Sequence, residues 1–157
     1  MKTIFTLFIL TFSTLSFSQT RGIDDFIWHY KQMPNVHHFK IGSFLTRIGS
    51  LFVEEQSARR VIRKAKKARI LISENSKYIE PNDITYLKKD VVRDGFAFLS
   101  NIRDGGDKVD VFVREDDKFI RNILAFVESS DDEFVLVSVD CRLTYDEISD
   151  LINDPNL

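Results

Sequence analysis

The side chains able to do chemistry in this sequence are few, and their spacing serves chemistry poorly. Histidine occurs only at His29, His37 and His38. Residues 36–41 read as a strand, whose successive side chains point to opposite faces, so His37 and His38 cannot both reach one metal ion. His29 with one of them and a distant carboxylate would be a site without recognisable ligand spacing. No metal and no cofactor is therefore expected. Cys141 is the single cysteine, and it falls in the alternating row Val135, Val137, Val139, Cys141, Leu143, where loss of water raises a thiol pKa and blunts its reactivity. A Gly-x-Ser-x-Gly nucleophile turn and the Gly-rich phosphate motifs are missing. Paired carboxylates do occur, at Asp116-Asp117 and Asp131-Asp132-Glu133. They sit in expected hairpin turns, whereas a glycosidase pair needs a cleft with its carboxyl groups about 5–9.5 Å apart. The residues thus nominate no catalytic group, and a hydrolytic enzyme is the weakest functional reading.

The elements that would position any site follow from periodicity. Residues 21–33 place Phe26, Ile27, Tyr30 and Met33 at helical spacing, with Asp24 a candidate cap. Residues 36–41 follow as a first strand. Ser43 is a candidate cap for a stripe of Phe44, Leu45, Ile48, Leu51 and Phe52, and residues 55–67 set Ala58, Val61, Ile62 and Ala65 at i, i+3, i+4 and i+7. Residues 69–73 then read as a strand, expected to join a parallel or mixed sheet through that helix. After a polar loop, Asp83 is a candidate cap for Ile84, Leu87, Val91 and Val92, a helix ending near Gly95. From there the period changes to two. Residues 96–102, 108–115, 118–128 and 133–143 alternate apolar and polar positions between short turns, which predicts a four-strand antiparallel meander. Thr144 and Glu147 form a capping box for a last helix through Ile148, Leu151 and Ile152. The fold class expected is α+β: one domain, a largely antiparallel sheet with amphipathic helices on one face. Phe98, Phe112, Phe134 and Leu136 run out of phase with the valine rows, as a second apolar face. The helix over residues 21–33 is the favoured cover for them; a dimer partner or a small apolar ligand are the alternatives.

The N-terminus has Lys2, an apolar run over residues 4–15, and Ser16 and Ser18 at the small positions before a cut. This reads as a signal peptide over residues 1–18, followed by a domain over residues 19–157. It is shorter than the roughly 20 apolar residues of a membrane span. With no cysteine at the cut, no lipid anchor is expected, and the product is placed in the periplasm, the cell envelope or outside the cell. Removing Lys2 moves the formal charge from -2 to -3, which argues against nucleic acid as a partner. Charge is nonetheless divided along the chain. Residues 54–69 hold seven basic and two acidic side chains, and residues 104–157 hold five basic and fifteen acidic. Arg59, Arg60, Arg63, Lys64 and Lys67 would cover one helix with positive charge, a surface suited to an acidic protein, anionic lipid or polysaccharide.

Residues 87–92 (Leu-Lys-Lys-Asp-Val-Val), residues 108–113 (Lys-Val-Asp-Val-Phe-Val), residues 132–139 and the sequence Leu-Thr-Tyr-Asp-Glu-Ile from Leu143 to Ile148 together resemble the DUF4252 family. The resemblance implies a secreted or outer-envelope protein, mainly of Bacteroidetes, over the whole mature chain, and supplies no catalytic residue. This sequence departs from it in lacking a lipobox cysteine and in carrying Cys141-Arg142 where a glycine often separates the last strand from the last helix. The leading expectation is an exported, non-catalytic domain acting through protein–protein or envelope-surface contacts. Its candidate surface is Arg59, Arg60, Arg63, Lys64, Lys67, Phe98, Phe112, Phe134 and Leu136, with a homodimer among the possible partners. A carrier of a lipid or small apolar ligand is the alternative.

Overall fold

The structure, a computed structural model, describes residues 21–42 and 63–152. The expected leader, the helix begun by Ser43 and most of the helix over residues 55–67, with Arg59 and Arg60, lie outside the described residues. Helix α1 (Arg21–Tyr30) leads into strand β1 (Val36–Gly42). Strand β2 (Lys67–Ser73), a single 3-10 turn (Ser76–Tyr78) and helix α2 (Pro81–Arg93) follow. Strands β3 (Ala97–Asp104), β4 (Asp107–Asp116), β5 (Phe119–Glu128) and β6 (Phe134–Leu143) form the meander, and helix α3 (Tyr145–Ile152) closes the described chain.

The six strands make one sheet in the order β1-β2-β6-β5-β4-β3, with every neighbouring pair antiparallel. The expected parallel or mixed placement of β2 is therefore corrected. β2 pairs antiparallel with β1 through Gly42↔Lys67 and with β6 through Ile70↔Val137. Lys67 opens this strand instead of closing a basic helix, because Ala68, Ile70 and Ile72 alternate with Arg69, Leu71 and Ser73 from that residue on.

The two sheet faces divide the apolar residues. On one face Val36, Leu71, Leu124, Phe126, Phe134, Leu136 and Phe112 lie beneath α1 and α2, which contribute Ile23, Phe26, Ile27, Tyr30, Leu87 and Val91. The Phe26 ring lies 6.2 Å from that of Phe134. Intramolecular cover by α1 is thus found for Phe134 and Leu136, with α2 sharing the work. The valine row lies on the opposite face. Cys141 and Leu143 are buried there with Val113, Ile120 and Ile148 of α3, whereas Val135 and Val137 are half-buried. The helices consequently do not all share one face, since the chain leaves β6 on the valine side and α3 folds back onto that row. The capping box forms as expected. The Thr144 N–H donates to Glu147 Oε2 at 3.0 Å, and the Glu147 N–H donates to Thr144 Oγ1 at 3.4 Å.

Two caps differ from expectation. Asp24 lies inside α1 and accepts from the buried Arg69 guanidinium, which also donates to Ser138 Oγ at 3.1 Å. Asp83 sits in the first turn of α2, behind the cap residue Glu80 and Pro81, and accepts from Tyr30 Oη at 2.7 Å. Burial and that carboxylate together push the Tyr30 phenol up to about 12, so it stays a neutral donor that ties α1 to α2.

Candidate functional site

The site is built from the sheet edge formed by β3 and from the side of α2 that overlooks it. Only Gly105 and Gly106 connect Asp104 to Asp107, with φ of +57° and +104°. Such left-handed values suit glycine and make the two-residue turn that matches strand twist. At Gly106 an added Cβ would also come within 3.1 Å of Ser130 Cβ. The tight turn fixes the phase of the ladder. Asp104 and Asp107 exchange backbone hydrogen bonds, so Ile102 and Val109, then Ser100 and Val111, do likewise, and the N–H and C=O of Asn101 and Arg103 point away from β4. Among the described residues β3 has no second strand neighbour.

Apolar side chains gather at this edge. Phe98 is 56% exposed and Ile102 52%, on opposite faces of β3, and Val92 of α2 is 53% exposed. Leu87 and Val91 turn into the core; Lys88 and Val92, one residue further round the helix, therefore overlook β4. Between them lies a cleft of about 590 Å³, open to solvent and lined by Lys88, Lys89, Val92, Lys108, Asp110 and Phe112 among others. Phe98 meets Phe112 edge-on with 5.5 Å between ring centres, and Phe112 meets Phe126 in the same way at 5.6 Å. An exposed ring thus continues directly into the buried aromatic row.

The cleft's charges are organised around Asp110. Lys88 Nζ donates to Asp110 Oδ2 at 2.7 Å and to Glu128 Oε1 at 3.1 Å, while Lys108 Nζ lies 3.3 Å from both carboxylates. Asn101 Nδ2 donates to Asp110 Oδ1 at 2.5 Å. Burial works against ionised Asp110, but the hydrogen bonds from Lys88 and Asn101 outweigh it and hold the carboxyl below its usual range. For Glu128 burial is likewise outweighed, here by Lys88 and Lys108, and that carboxyl is held low as well. Lys88 also lies 5.1 Å over the Phe126 ring. No local sequence signal marks this cluster, since its members come from α2, β3, β4 and β5 and meet only through the fold.

The expected surface residues are dispersed. Phe112, Phe134 and Leu136 are buried, so of the aromatic row Phe98 alone faces water. Arg63 and Lys64 are exposed just before β2, and Lys64 donates to Glu147 in the first turn of α3. That contact, followed by the Thr144 backbone bond, holds the Glu147 carboxyl below its ordinary value. His37 faces Glu74 at 3.0 Å on the solvent side of β1. His38 points to the other face, where its Nε2 is buried without a hydrogen-bond partner and burial lowers its pKa. The two imidazoles therefore diverge as the strand period requires. Among the described residues no three metal-ligating side chains converge, and no helix is long and apolar enough to cross a membrane.

Burial pushes the Cys141 thiol up to about 11, with the neighbouring Asp140 adding to the shift. The sulfur sits 3.6 Å from the carbonyl oxygen of Ile120. In native protein at pH 8 a thiol-specific reagent is expected to label Cys141 at least about a hundredfold more slowly than in denaturant, since thiolate is scarce and access is blocked. Equal rates in the two states would contradict this placement.

Over the described residues, fold and edge together define an α+β domain with a six-stranded antiparallel sheet, two helices over its aromatic face and one against its valine face. The chain belongs to the DUF4252 family, a domain of unknown function, whose profile matches residues 30–151. No curated protein and no solved structure matches the chain.

Proposed function

We propose that this protein is an exported, non-catalytic domain that works by binding another macromolecule of the cell envelope through its surface. The observation that carries the reading is a sheet edge unpaired among the described residues, that of β3, on which exposed Phe98 and Val92 flank an open cleft while Ile102 is exposed on the opposite face. Large apolar groups gathered in this way mark interaction sites more often than chance exposure does. Export is supported by the leader pattern over residues 1–18. The single thiol is deeply protonated, and the strongest cluster of titratable groups is internally paired, which suits support more than catalysis.

The carrier alternative has less support, because three of the four residues that suggested it, Phe112, Phe134 and Leu136, are packed in one core with Phe26, Ile27, Leu87 and Val91. The basic segment keeps a secondary place as a docking face for acidic protein, anionic lipid or polysaccharide, with Lys64 partly committed to Glu147. Affinity capture from envelope extract of the host separates these surfaces. Phe98→Glu together with Val92→Lys is expected to abolish specific capture, while Arg59, Arg60, Arg63 and Lys64 changed together to Glu weakens it in a salt-dependent way. Full retention of the same partners by the Phe98/Val92 variant would count against the edge.

A further inference from the structure

We infer that the β3 edge accepts an extended segment of a partner protein as a seventh strand, with an apolar side chain of that segment against Phe98 and Val92 and an acidic one beside the cleft lysines. The inference rests on the binding function proposed above and specifies the chemistry of the partner. Main-chain recognition comes first. Asn101 and Arg103 each direct an N–H and a C=O away from β4, and an added strand meets such groups in register, while pockets for alternate side chains select its sequence.

The opposite edge of the sheet shows how the two differ. β1 also exposes an apolar ring, Phe39, but Lys40 follows it directly in mid-strand, and edge charge of this kind discourages pairing. β3 exposes Phe98 and Ile102 with no charged residue between them and keeps its two charged residues, Arg103 and Asp104, at the far end beside the turn. Phe98, Asn101 and Arg103 share the face that overlooks the cleft, because their partners Phe112, Asp110 and Lys108 do. An incoming strand therefore lays every second side chain along the same cleft.

Charge selects the occupant. Three lysines and one aspartate line the cleft, and Asp110 with neighbouring Glu128 is already shared by Lys88 and Lys108. Lys89 is exposed and touches only the Tyr86 ring, 5.9 Å away, among the contacts of the described residues. An acidic side chain two positions from the apolar anchor thus meets unneutralised positive charge, and a basic one meets repulsion. The cleft's openness fits a chain laid along an edge better than a small ligand, which needs most of its surface enclosed.

The test uses the full chain without its leader and blocked synthetic peptides of alternating valine and threonine, carrying a phenylalanine and, two positions on, a glutamate. Two controls replace the glutamate by lysine or place a proline at the centre. The glutamate peptide is expected to bind, to shift and slow the backbone amides of Asn101 and Arg103, and to bind at least about tenfold more tightly than either control, because proline removes a ladder donor and lysine meets like charge. Phe98→Glu, exposed and so compatible with folding, is expected to abolish the effect. Equal binding of all three peptides, no binding at millimolar concentration, or shifts confined to other strands would overturn the inference. So would a protein that is already a dimer with both amides protected before peptide is added, since the occupant would then be a second copy. Loss of envelope capture in the Phe98/Val92 variant alongside failure of the peptides would leave surface binding standing and remove strand addition alone.

Discussion

Phe134→Ala is expected to lower the unfolding free energy by about 3–5 kcal/mol, whereas Phe98→Ala lowers it by about 1 kcal/mol or less. Both residues belong to the out-of-phase row that the sequence presents as one apolar face. Phe134 is fully buried against Phe26 of α1, and truncating it leaves a cavity between helix and sheet that close-packed neighbours fill only in part. Phe98 keeps one edge-on contact with Phe112 and gives more than half its surface to water. Chemical denaturation of the two variants measures the difference. Comparable losses would mean that Phe98 is covered in the native protein, and the exposed edge would disappear from the account.

Lys88→Met is expected to destabilise the protein by about 1–3 kcal/mol at neutral pH, with the loss shrinking as the pH falls. Asp110 is mostly buried and Lys88 is its nearest cation. Removing that cation leaves Asn101 and Lys108 to hold a carboxylate away from water. Asp110 and Glu128 both have folded pKa values below their ordinary ones. A group shifted in this direction contributes stability above its unfolded pKa, near 4, and loses it as the pH drops through the folded value. Parent and variant therefore converge in acid below the ordinary carboxylate range. A pH-independent gap would instead assign Lys88's contribution to the packing of its stem and to its position over Phe126.

The meander, its turns and the last helix are legible in the sequence because each is locally encoded. Gly105 and Gly106 supply the left-handed φ of a tight turn, and Thr144 and Glu147 satisfy each other three residues apart. Which face of the sheet is the principal core is not encoded in that way. β5 and β6 are apolar on both sides, and the choice is made by bulk: Leu124, Phe126, Phe134 and Leu136 fill the space under α1 and α2, leaving Val135 and Val137 half-buried on the other side. Register shifts between Arg114 and Glu115 and between Ile120 and Asn122 move Ile120 to the valine face, which strict alternation cannot anticipate. The direction of β2 was equally hidden, because a basic stretch preceding a short strand does not specify its neighbours. At the candidate site, Phe98 was legible as an apolar residue, but the cover expected for it from the helix over residues 21–33 is not made, and it stays 56% exposed. Its cleft was not legible, since Lys88, Asn101, Asp110 and Glu128 are brought together across four elements.

That an open, apolar-flanked β3 edge is the binding surface is tested most directly by amide hydrogen exchange on the isolated protein, read residue by residue along Ser100, Asn101, Ile102 and Arg103. The tight glycine turn predicts alternation, with Ser100 and Ile102 protected by β4 while Asn101 and Arg103 exchange at rates close to those of exposed backbone. Strong protection of all four amides would mean that another strand already occupies this edge, and the surface assigned here to a partner would not be available.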